Sequence, residues 1–284
     1  MWWSSNPATW TFDIDRYLNP FIPHPPWRWI PYPIAYFLGH RKHPQKSVGN
    51  LVIIFWALIG IFVGLLVIAL VTKHVPVFQN HDAPIIVASF GAAAVLNFYA
   101  IDSPLAQPRN TVVSQVISSV IGVGIRKLFE LSPNYASIRY IGGALSCAVA
   151  TAVMALTKTV HPPAGATALL AVVNDDAVPL GWWLVPMVLL GSVLMVVVGL
   201  VINNIQRRFP VYWWTPDHVG QALWPPPADE EVGAGREGKM TTPSSASLRD
   251  EPQVIIRRGQ VIVPSGMYLT PEGMNFLEEI SERL

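Results

Sequence analysis

The sequence predicts an all-α polytopic membrane protein, a bundle of about four to six transmembrane helices with a short broken or re-entrant helix after residue 161 and a small C-terminal hairpin-helix tail. Three observations carry this. Of 284 residues 51% are hydrophobic and only 13% charged, with a mean hydropathy of +0.38, whereas a soluble domain is roughly one-quarter charged. Several uncharged runs approach the ~20 residues that cross a hydrocarbon layer. The stretch HPPAGATALLAVV, His161 to Val173, sets a histidine and two prolines before small and apolar residues, a run too short to cross unaided.

Charge and cysteine content exclude other classes. The net charge is +1 with no long basic face, so nucleic acid is not expected as a partner. The single cysteine, Cys147, excludes disulfide frameworks and multi-cysteine metal sites, and no metal or cofactor is expected. The start, MWWSSNPATWTF, lacks the basic-then-apolar order of a secretory signal, so no cleaved leader is expected.

Residues 1–46 place Trp27, Trp29, Tyr32, Tyr36 and Phe37 before His40, Arg41, Lys42, His43 and Lys46. Rings followed by cations suit a membrane surface. Prolines at 20, 23, 25, 26, 31 and 33 forbid a long helix, so the expectation is an extended interfacial segment, with a mobile tail as the plainer alternative.

Residues 47–206 are expected to form the transmembrane domain. Val48 to Val71 is an uncharged run in which Gly60 and Gly64 admit a close neighbour. Pro84 to Ile101 is the second span, with Asp82 as N-cap, Pro84 in the first turn, and Ser89, Gly91 and Asn97 inside. An asparagine there needs a partner or a wet cavity, so Asn97 faces other helices, for packing or for transport. SPLAQPRN, Ser103 to Asn110, breaks the helix. Arg109 within it is either a fixed cation lining a cavity or an interfacial anchor. The third span, Thr111 to about Ile125, carries a stripe of Ser114, Ser118 and Gly122; the fourth, Ile138 to Leu156, carries Gly142, Ser146 and Ala150. Arg126 and Glu130 can pair between them at four-residue spacing. The last span, Trp182 to about Ile205, ends at Arg207 and Arg208, a positive-inside stop.

Counting the element after His161 as a crossing gives six segments with both termini cytoplasmic; a re-entrant element would change that count. Pro84 onward and Pro162 onward are each followed by a break and a helix, a weak internal repeat of the discontinuous-helix kind that transporters use. Residues 207–251, with three prolines at 225–227 and then Gly, Ser, Thr and mixed charge, read as a flexible cytoplasmic linker. Residues 252–284 read as a hairpin over Val254 to Val263, turning near Arg258 and Gly259, and a helix capped by Thr270 and opened by Pro271.

Pro162 and Pro163 suit a first helical turn, so the amides that follow and the positive end of the helix dipole are expected to face His161, an arrangement that attracts anions. The candidate substrate-binding residues are His161, Pro162, Pro163, Gly165 and Thr167, joined by Arg109, Asn110, Ser89 and Asn97. His161 titrates near neutral pH and can couple anion movement to protons; a capping or interfacial role is the alternative. No apolar span carries paired carboxylates or a histidine cluster, so no catalytic residue is expected. The expected partners are the lipid bilayer and a small anion, and the small-residue faces suit a homo-oligomer. A membrane scaffold or sensor whose C-terminal segment binds a partner is the second reading.

HPPAGATALLAVV preceded by TAVMALTKTV, with PIIVASFGAAAVL and SPLAQPRN upstream, resembles the signatures of the HPP family of integral membrane proteins, from about Lys46 to Ile205. The resemblance implies a small bundle of membrane helices acting as a transporter, and some plant and cyanobacterial members are linked to nitrite. It says nothing about the tail after Thr215.

Overall fold

The computed structural model describes residues 9–43, 48–81, 83–217, 219, 220, 222, 223, 255–257, 260–262 and 277. It divides into two units, Met1–Pro226 and Pro227–Leu284. In the first, two short helices, α1 (Asp15–Leu18) and α2 (Tyr32–Phe37), occupy the stretch expected to be extended. Pro33 falls in the first turn of α2, where a missing N–H does no harm, so the prolines shorten helices here without abolishing them.

The membrane part follows in order as α3 (Asn50–His74), α4 (Pro76–Gln79), α5 (Ser89–Phe98), α6 (Pro108–Phe129), α7 (Tyr135–Leu156), α8 (Pro162–Val173) and α9 (Leu184–Asn203). With its leading turn at Gly181–Trp183, α9 joins α3, α6 and α7 as the four helices, among the described residues, long and apolar enough to cross a membrane. The expected second span is shorter than predicted. Pro84 to Ala88 is not helical, and α5 has only ten residues. The β-branched run Ile85, Ile86 and Val87 lowers helix propensity there. The Asp82 cap lies outside the described residues. Conversely, α6 begins at Pro108, so Arg109 and Asn110 belong to its first turn and not to the preceding break.

Contacts at the helix ends set the direction of every element. The start of α3 meets the chain just after α9 through Trp56 Nε1, which donates to Gln206 Oε1 at 2.7 Å. The finish of α5 lies at that end too: Asn203 donates to Asn97 O at 2.8 Å and Arg207 to Phe98 O at 2.7 Å. There the start of α6 holds the start of α8, Asn110 Nδ2 donating to Val160 O at 3.0 Å. At the far end Tyr135, which opens α7, donates to Val172 O at 3.1 Å, and His81 stacks on Trp183. The six helices α3 and α5 to α9 therefore alternate in direction, and α8 points away from the near end, opposite to α5.

The two halves, α3–α5–α6 and α7–α8–α9, are built alike and inverted. Each short helix is gripped by the first helix of its own half and the third helix of the other: α5 packs on α3 and α9, α8 on α7 and α6, and α5 and α8 touch each other. Glycines make these approaches possible. A Cβ at Gly64 of α3 would lie 2.8 Å from Phe98, and one at Gly191 of α9 would strike Phe90; one at Gly143 of α7 would lie 2.6 Å from Val173, and one at Gly122 of α6 2.7 Å from Ala168 O. Lipid tails are as apolar as the side chains, so the association rests on such close van der Waals contact and on hydrogen bonds.

Arg207, expected as an interfacial stop, is buried, and Phe209 after it is fully buried. The first residues of the expected linker thus fold back on the bundle: Val211 N donates to Gln107 Oε1 at 2.9 Å and Trp213 Nε1 to Leu38 O at 3.0 Å. Residues 224–251 lie outside the described residues. In the second unit, strands Ile255–Arg257 and Gln260–Ile262 pair antiparallel with Ile256 opposite Val261, the expected hairpin. Of the expected final helix only Leu277 is described.

Candidate functional site

The polar interior is organised by α6. Gln107, Thr111 and Gln115 recur at four-residue spacing along it and are fully buried, as are Ser114, Ser118 and Ser119. The serines turn inward on neighbouring backbone or pack on α7: Ser119 Oγ donates to Val116 O at 2.9 Å and Ser118 Oγ lies 3.9 Å from Met154 Sδ. The Thr111 and Gln115 stripe instead faces the two short helices. Thr167 Oγ1 lies 2.6 Å from Gln115 Oε1 and 2.7 Å from Ser89 Oγ. A hydroxyl has one proton to give, and the Gln115 oxygen can only accept. Thr167 Oγ1 is therefore the donor shared between Ser89 Oγ and Gln115 Oε1, and Gln115 Nε2 is left with no protein partner.

Toward the near end the path continues through Asn97 on α5, which donates to Ala93 O at 2.9 Å and reaches Thr111 Oγ1 at 3.5 Å, while its Oδ1 has no protein partner. Thr111 in turn donates to Ala106 O, and the neighbouring Leu105 O takes a hydrogen bond from His161 Nδ1 at 2.8 Å. A carbonyl can only accept, so Nδ1 carries the proton. His161 is fully buried and its Nε2, the bare lone pair, has no protein partner. Gln115 Nε2, Asn97 Oδ1 and His161 Nε2 thus lack a protein partner, although native structures pair nearly all buried polar groups.

The structure corrects the expected anion nest at α8. Pro162 and Pro163 have no N–H, and Ala164 N donates to His161 O at 2.9 Å, so the first turn has spent its donors. What it contributes is the His161 ring and, one turn in, Thr167. Pro162 is exposed, and Gly165 faces α7, where a Cβ would lie 3.5 Å from Cys147 Sγ. Among the expected residues, His161, Pro163, Thr167, Ser89 and Asn97 lie along the path, and Pro162 and Gly165 do not.

Arg109 and Asn110 form an outer layer. Arg109 is no free cation: its guanidinium donates to Asp15 Oδ1 at 2.7 Å and to Thr157 O at 2.9 Å, and lies over the Trp214 ring at 4.1 Å. Outside it, Lys158 pairs with Asp13 at 2.6 Å, and that contact holds the Asp13 carboxyl below the usual carboxylate range and the Lys158 ammonium above the usual lysine value. Arg126 pairs with Glu130 at 3.5 Å, as the spacing predicted, and donates to Val178 O beyond α8. Arg207 likewise donates to Phe98 O at the end of α5. Each short helix is thus followed by a buried arginine from the other half, on the last carbonyl of α5 in one case and on a loop carbonyl past α8 in the other.

Gln115, Thr111, Asn203 and Asp15 are the polar residues that sequence reasoning missed. The spacing 107, 111, 115 was available in QPRNTVVSQ, but the serine and glycine stripe on the same helix competes with it. A cavity of about 570 Å³ elsewhere, lined by Trp27, His40, Tyr212 and Trp213 among others, includes none of the expected residues. Among the described residues no group of three or more His, Cys, Asp or Glu side chains is placed to hold a metal ion.

Comparison with known proteins gives the same membrane assignment. Two transmembrane proteins of Dictyostelium discoideum are similar, one 36% identical over 190 residues, covering 64% of this chain and 58% of its relative, the other 34% identical over 190 residues, covering 64% and 65%. The chain therefore spans less than two thirds of either relative. No solved structure matches it. The model of the family described as HPP, transmembrane region, matches residues 46–210, more than half of the chain, and the protein belongs to that family of integral membrane proteins.

Proposed function

We propose that the chain carries a small inorganic anion across the bilayer, nitrite by the family resemblance, with a proton taken up at His161. The observation that supports this most is the meeting of two short helices of opposite direction at Thr167 and Ser89, inside a fold of inverted halves. Transporters repeatedly place the substrate where such discontinuous elements meet near mid-membrane.

The cluster has the chemistry for a singly charged anion in transit. The Ser89 hydroxyl, Gln115 Nε2 and the positive end of α5 supply donors and positive potential. No formal charge sits among them, so binding stays weak enough for release, as conduction demands. His161 Nε2, a bare acceptor on the same path, is placed to take a proton, and a proton moving with the anion cancels its charge in the low-dielectric interior. The near end, where Arg41, Lys42 and Arg208 gather beside both flanks of the bundle, is the cytoplasmic one in this reading.

The test is uptake into liposomes containing the purified chain, comparing nitrite with nitrate, chloride and bicarbonate, alongside His161→Gln. Saturable nitrite uptake that the variant loses while staying folded is the expected outcome. Folded protein that moves none of these ions overturns the reading.

A further inference from the structure

The geometry points to a second anion site, an outer one at Arg109, which the chain's own Asp15 carboxylate fills in this structure and which is shaped for a planar oxyanion. The inference rests on the reading of the bundle as an anion carrier.

Three positive features converge on Asp15. Arg109 is the second residue of α6, so its side chain leaves the positive end of a 22-residue helix. It is only 5% exposed, donates to Asp15 Oδ1 at 2.7 Å, and keeps its buried Nε without a protein partner. Lys158 brings its ammonium to 4.0 Å from Asp15 Oδ2. Its backbone, at φ 52°, is in the left-handed region that a side-chain-bearing residue seldom adopts, a conformation that its surroundings must hold. Trp214 supplies the face beneath the guanidinium.

The place of this carboxylate matters. Thr157, whose carbonyl Arg109 also holds, and Val160, held by Asn110, belong to the loop that runs directly into His161. Asp15 therefore stands over the outer end of the path that leads to Thr167 and Ser89. Asp15 is nearly fully buried, yet it belongs to a segment preceding the family-matched region, which begins at residue 46.

A carboxylate and nitrite share the features read here, a planar group with two terminal oxygens on one atom and one negative charge: Arg109 Nη2 meets Asp15 Oδ1 while Lys158 faces Oδ2. Chloride offers a sphere and no such edge. The N-terminal segment is thus a tethered competitor, and its effective concentration at Arg109 sets how much free anion is needed to displace it.

The experiment compares the full chain with Asp15→Asn and Asp13→Asn in liposomes, reading half-saturating nitrite and chloride separately from maximal rate. If Asp15 leaves Arg109 free about one tenth of the time, Asp15→Asn lowers half-saturating nitrite about tenfold, leaves chloride unchanged, and loses the gain when Arg109→Gln is added. Asp13→Asn, which loosens the exposed Lys158 contact and keeps an amide oxygen for the hydrogen bond from Asp15 N, moves nitrite the same way by less. Folded Asp15→Asn with unchanged or raised half-saturation overturns the outer site. Should Asp15→Asn fail to fold, an unchanged nitrite value in folded Asp13→Asn does the same. Should no form move nitrite, the transport reading fails, and the outer site is judged by melting: a nitrite-dependent rise larger in Asp15→Asn than in the native chain, and absent with chloride, supports it, whereas no difference overturns it.

Discussion

Thr167 Oγ1 lies 2.7 Å from Ser89 Oγ, so a hydroxyl from the middle of one short helix meets the first residue of the other inside the bundle. Both are buried, and Thr167 also donates to the Gln115 side chain, which makes this contact the joint between the inverted halves.

Thr167→Val keeps shape and removes the hydroxyl. Ser89 and Gln115 both lose the hydroxyl that donates to them, a loss of about 1–3 kcal/mol for buried groups left unsatisfied. Melting of the purified variant should fall and transport should drop with it, while Thr167→Ser retains both.

The glycine contacts differ in what they face. At Gly64 an added methyl meets the Phe98 ring, which can turn; at Gly122 it meets Ala168 O, which is backbone in a packed helix. Gly122→Ala should therefore cost more than Gly64→Ala, within the roughly 1–3 kcal/mol typical of overpacking. Gly124→Ala, where nothing lies within 4 Å, should be neutral. Abundance and thermal midpoint of the three variants order them.

The contact between Asp13 and Lys158 gives the N-terminal segment a defined pH window. Asp13 is lowered, so its contribution is complete above the unfolded carboxylate value and lost as pH falls through the lowered one. Lys158 is raised, so its share is complete below the unfolded lysine value and lost as pH rises through the raised one. The difference in thermal midpoint between the native chain and Asp13→Asn should be flat from about pH 5 to pH 9 and shrink below about pH 4.

Much of this fold is legible in composition and spacing. The uncharged runs locate α3, α7 and α9, and small-residue stripes mark the faces that pack. Proline, read as a helix breaker, misplaced boundaries at both α2 and α6, because at the first turn it starts helices. The second span was read too long, since hydropathy counts Ile85 to Val87 as apolar without regard to whether they are helical. The site was half legible. His161 and Thr167 stand out in the motif, but the partner of Arg109 lies 94 positions away in the sequence and that of Thr167 lies 78 positions away. Such pairs arise from packing, which local patterning does not encode.

Orientation follows from the alternating passes. Cysteines introduced at Tyr17 and Val211, in a Cys147→Ser background, should react with an impermeant thiol reagent from one side of the membrane, and a cysteine at Asp176 from the other. Reaction of all three from one side would refute six crossings.

The most direct test of the central claim is the accessibility of a cysteine placed at Ser89 in the same Cys147→Ser background. If the Thr167 and Ser89 cluster is where an anion rests in transit, that cysteine reacts with a small impermeant thiol reagent supplied from the near side and, in a separate population of states, from the far side, and nitrite slows both reactions. A folded protein whose cysteine at this position is closed to both sides, or reacts at a rate that nitrite does not change, would contradict the account.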